Sequence, residues 1–66
     1  MSLHQEQARD LIDLVADAMD SHDDRKDQYA AGRQIVLSYS LINPHRPYAM
    51  QQASLYVVRR LDLDRV

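Results

Sequence analysis

This sequence predicts an all-α fold: a small three-helix domain, completed by homodimerisation through its central apolar helix. Three observations lead there. Apolar residues recur at helical spacing in three stretches, separated by two breaks rich in cap formers and proline. The middle stretch, residues 29–42, is apolar almost all round, and such a helix cannot turn any broad side to water. The chain is also very short, with 66 residues and no cysteine.

Shortness matters because a core seldom supplies more than ~3–5 kcal/mol below roughly 70–80 residues, so a single small domain of this kind needs a staple. Without cysteine, disulfides and thiolate zinc sites are excluded. His4, His22 and His45 are scattered and form no recognisable ligand set. Association with a second chain is the staple that remains. One glycine, two prolines and a 45% apolar fraction favour a packed chain over a disordered one.

The first helix is expected near residues 3–21. Ser2 and Gln5 form an S-x-x-Q capping box. Leu11, Ile12, Val15, Ala18 and Met19 then make one apolar face, with Leu14 at its edge. On the other side Glu6, Asp10, Asp13, Asp17, Asp20, Asp24 and Asp27 follow at steps of three and four, an acidic line along a continuous helix. Ser21-His22-Asp23-Asp24 interrupts it as a tight corner. Asp10, Asp13, Asp17 and Asp20 are thus a candidate acidic surface, either a solvated face or a docking line for a basic partner. Calcium binding does not fit, because the corner lacks the glycine and the alternate-residue ligands of a calcium loop.

The second helix is expected at 24–42. Gly32, following Ala30 and Ala31, is either a tolerated interior glycine costing roughly 1 kcal/mol or a small-residue patch where another helix approaches. The dimer seam is expected at Gly32, Ile35, Tyr39 and Ile42. A rival reading exists: Ile35, Leu37, Tyr39 and Leu41 alternate with Val36, Ser38, Ser40 and Ile42, which also suits a strand, and Leu61-Asp62-Leu63-Asp64 alternates too.

Asn43-Pro44-His45-Arg46-Pro47 breaks the chain, Asn43 being suited to a left-handed helix end and Pro47 to a first helical turn. The third helix is expected at 47–61, its inner face Met50, Ala53, Ser54, Val57, Val58 and Leu61. Tyr48, Gln51, Gln52, Leu55 and Arg59 form the outer, partner-binding face. The tail after Leu61 has no cap and frays or packs on a partner.

Charge divides between the halves. Residues 1–27 carry eight acids against three cations, and residues 28–66 carry two against five, for a net of −2. Such polarity orients partners more than it binds them. No Gly-rich phosphate loop, H-E-x-x-H pair or metal-spaced ligand set is present. Ser21-His22-Asp23 are sequence neighbours, which does not make a catalytic triad. The chain is therefore expected to be non-enzymatic, with no cofactor, metal or small-molecule substrate. Its expected role is a protein-binding regulator, adaptor or inhibitor, of the size found among phage or mobile-element products.

The alternative is a DNA-binding regulator of helix-turn-helix type, with Tyr48, Gln51, Gln52 and Arg59 as readers. An acidic balance, with pI ≈ 5.8, and a proline-rich connection in place of a short Gly turn count against it. No apolar run is long enough for a membrane span, and the start lacks the pattern of a signal peptide, so the cytoplasm is the expected compartment.

Overall fold

The computed structural model describes residues 2–63, and each helix in it starts and stops where local chemistry dictates. Helix α1 runs Leu3–Asp20, α2 runs Arg25–Ile42 and α3 runs Pro47–Leu63. Among the described residues there is no strand, so the alternation at 35–42 lies within α2. The tail expected after Leu61 is helical as far as Leu63, where α3 ends, and its residues 64–66 lie outside the described residues.

Ser2 caps α1, its Oγ accepting from the Gln5 amide at 3.1 Å, which satisfies one of the four donors a helix start leaves unpaired. At the other end the Ser21 hydroxyl donates back to the Ala18 carbonyl at 2.7 Å and the His22 amide to that of Met19 at 3.2 Å. Asp24 opens α2 by accepting from the Lys26 amide at 3.0 Å. The Gln28 side chain reaches back to the His22 carbonyl at 2.8 Å and ties the corner down. Arg25 donates to the Leu61 carbonyl, joining the start of α2 to the last turns of α3.

Asn43 does not take the expected left-handed conformation. Its φ is −129° and its amide continues the helical ladder to Tyr39 at 2.8 Å. Pro44, which disfavours helical backbone in the residue before it, then ends the ladder. Arg46 closes the turn through its amide to the Asn43 carbonyl at 3.2 Å, and Pro47 begins α3.

The core is built by the outer two helices of the sequence. Ala8, Leu11, Val15 and Met19 of α1 are buried, as are Ala49, Ala53 and Val57 of α3. From α2 only Gly32 is buried, with Ile35, Val36 and Tyr39 packed partly against the same cluster. The expectation that the middle helix turns no broad side to water is therefore corrected. Each helix of a three-helix bundle turns only one sector toward its two neighbours. The apolar residues of α2 surround its axis, so many must lie outside that sector.

The inner face of α3 also differs from expectation. Ala49 is inside while Ser54 and Val58 are exposed, a rotation of about 60° at 100° per residue. Hydrophobicity favoured the larger Val58. Close packing selects the small Ala49 and Ala53, because alanine lets helix axes approach.

Gly32 explains how close that approach is. A β-carbon there would lie 3.0 Å from Val57 Cγ2, 3.2 Å from Met19 Sδ and 3.3 Å from Met19 Cγ. The glycine is thus the small-residue point where other helices approach α2, and those helices are the chain's own α1 and α3.

Candidate binding surface

Rotating α3 and sinking α2 at Gly32 leaves a groove between these two helices. Its floor is Val36 and the buried Val57. Tyr29, Leu37, Ser54 and Val58 form the walls, and Arg33 stands at the rim; the volume is about 280 Å³. Leu37 is 51% exposed and Val58 50%, so the walls face water rather than the core. Leu41, one turn beyond Leu37 on α2, is 83% exposed. Side chains one turn apart lie on the same side of a helix, so Leu41 extends the apolar strip past the groove.

The one charge in the lining is held in place. Arg33 Nη1 donates to the Tyr29 hydroxyl at 3.0 Å, and the guanidinium lies 5.6 Å from the ring centroid, within cation–π range. The hydrogen bond to Tyr29, and then its charge interaction, raise the Arg33 pKa above its ordinary value. No carboxylate neutralises it among the described residues, where the ion pair found joins Arg60 to Asp20 instead.

The four residues expected at a dimer seam are not gathered into one patch. Gly32 is buried against its own chain. Ile35 and Tyr39 pack on the intramolecular core, and Tyr39 accepts a hydrogen bond from Arg46 at 3.0 Å. Ile42 is 77% exposed, alone of the four. Gly32, Ile35 and Tyr39 face the chain's own core, while Ile42, on the same side of the helix at 100° per residue, is exposed at the last position of α2.

The expected partner-binding residues Tyr48, Gln51, Leu55 and Arg59 are exposed, and Gln52 is half-buried. Tyr48 meets His4 edge to face, with ring centroids 6.4 Å apart and planes at 65°. This flank of α3 thus runs beside the start of α1, while the groove lies on its other flank.

Asp10, Asp13, Asp17 and Asp20 are all exposed. Asp20 is engaged by Arg60, whose guanidinium also donates to the Tyr56 hydroxyl at 3.1 Å. The pairing with Asp20, followed by that with Tyr56, raises the Arg60 pKa. Asp24 serves as a helix cap, so the line of seven acids is broken by structural duties at the corner. Ser21, His22 and Asp23 are exposed corner residues there, and the Ser21 hydroxyl already donates to backbone.

Among the described residues no three His, Cys, Asp or Glu side chains are grouped to hold a metal ion. No helix there is long and apolar enough to cross a membrane. Comparison with protein-family models, curated proteins and solved structures finds no match for this chain.

The sequence reading missed the groove because it placed Val58 and Ser54 inside and treated α2 as buried on every side. A signal was present. Tyr29, Arg33, Leu37 and Leu41 are spaced by four, and an arginine in such a row resists burial in a core. That row marks a side of α2 that opens to solvent.

Proposed function

We propose that this chain is a non-enzymatic protein-binding regulator, adaptor or inhibitor. It works as an assembly of at least two copies, a homodimer being the smallest, and binds through its α2–α3 face. The observation that carries this reading is the exposed apolar strip of Leu37, Leu41 and Val58 beside Tyr29. Single exposed leucines are ordinary, but a contiguous apolar strip edged by polar groups marks an interaction surface. Its chemistry also suits an interface, with a tyrosine and an arginine at the margin of a charge-poor centre. The economics of size point the same way, since a second chain covering this strip stabilises a domain whose own core is small.

Size-exclusion chromatography with light scattering at micromolar protein tests the assembly. The wild-type mass is expected to exceed the 7.7 kDa of one chain, and Leu37→Asp to return it to one chain with its helical circular dichroism intact. For the DNA-binding alternative, salt-sensitive retention on duplex DNA that is lost with Gln51→Ala and Gln52→Ala would replace this proposal.

A further inference from the structure

The groove has a definite chemical demand. Its walls are apolar apart from Ser54, and Arg33 at the rim pairs with a phenol rather than a carboxylate. The occupant that satisfies it is a helix presenting an apolar side chain flanked by acids.

One helix on this molecule has that pattern. Leu14 of α1 is 55% exposed. Asp10 lies four residues before it and Asp17 three after, both exposed on the same side of the helix. Leu3, also exposed, continues the ridge toward the helix start. The same chain cannot join these two surfaces. Helix α1 packs on both α2 and α3, so its acidic side points away from the groove between them.

Resting on the reading of α2–α3 as the binding face, we propose that the groove of one copy receives the Leu14 ridge of α1 from the next, so that copies associate head to tail. Leu14 seats between Leu37 and Val58, and Asp10 or Asp17 meets Arg33. This is helix-in-groove recognition, oriented by the acidic first part of the chain meeting the basic remainder. Pairing groove on groove instead places two Arg33 side chains in one interface, with no carboxylate from either lining to meet them. A contact between two different surfaces is heterologous and forms rings or open chains rather than closing at a two-fold pair.

Two variants, each at an exposed position, test this in the full chain. Leu14→Arg spoils the ridge and keeps the groove, while Leu37→Asp spoils the groove and keeps the ridge. Each alone is expected to sediment as a single chain with unchanged helical circular dichroism. Their mixture is expected to form a 1:1 heterodimer that grows no further, because one good ridge and one good groove remain. Wild type is expected to grow beyond two copies with concentration, and to dissociate as salt screens the Arg33 contact. If Leu14→Arg assembles as wild type does, the head-to-tail contact is overturned and self-association through the groove survives. If wild type itself stays a single chain at high micromolar concentration, both proposals fail.

Discussion

Helices α1 and α2 have the same length, 18 residues each, and the structure uses them in opposite ways. In α1 the large apolar residues fall mostly on one line, and Leu11, Val15 and Met19 vanish completely from solvent. In α2 they surround the axis, and nothing larger than Gly32 is fully buried. The contrast shows that what a helix buries depends on how its apolar residues are arranged more than on how many it has. A helix apolar on one side completes a fold. One apolar on all sides has surface left over, and here that surface is the outer wall of the α2–α3 groove.

Substitutions in the two helices should separate these roles. The largest effect is expected from Leu11→Ala, which empties a fully buried position in α1. Such truncations cost about 2–5 kcal/mol, as much as the whole core of a domain this size is expected to supply. Urea titration followed by circular dichroism should find the variant largely unfolded before denaturant is added. A normal midpoint would mean that α1 is not the organising helix.

Gly32→Ala sharpens the comparison at the one place where α2 is buried. Alanine gains roughly 1 kcal/mol of helix propensity, but its β-carbon would meet Val57 Cγ2 at 3.0 Å, and overpacking costs about 1–3 kcal/mol. A net loss of about 1 kcal/mol is expected. Val57→Ala should cost less in the Gly32→Ala background than in wild type, the sign of a shared contact in a double-mutant cycle.

Next in size are the caps. Asp24→Ala should cost about 1 kcal/mol, read as a lower urea midpoint, because the Lys26 amide loses its acceptor. Smaller still is Asp20→Asn at the surface pair with Arg60. Ion pairs in solvent are worth about 0–1 kcal/mol, and added salt should erase what difference there is.

The three helices could be read from the sequence because their signals are local. Ser2, Asp24 and Pro47 act within one turn of where they stand, and the row of Leu11, Val15 and Met19 declares its face by spacing alone. What could not be read was set by contacts between helices. Whether Val58 or Ala49 faces inward depends on how closely α3 approaches, and that distance is fixed by Gly32, more than fifteen positions away. Tyr39 and Ile35 looked available to a second chain because the sequence does not say which sector of α2 its own neighbours occupy. For the same reason Leu37 and Val58 looked like core, and their juxtaposition across the groove became visible only once both helices were placed.

The central claim is that α2 completes the fold with one side and binds with the other. The most direct test is the thermal midpoint as a function of protein concentration, for wild type and Leu37→Asp side by side. Association stabilises by mass action, so the wild-type midpoint should rise across a hundredfold concentration range. That of Leu37→Asp should stay level and match wild type at high dilution. A wild-type midpoint independent of concentration, or a Leu37→Asp variant that is unfolded at high dilution, would contradict the account.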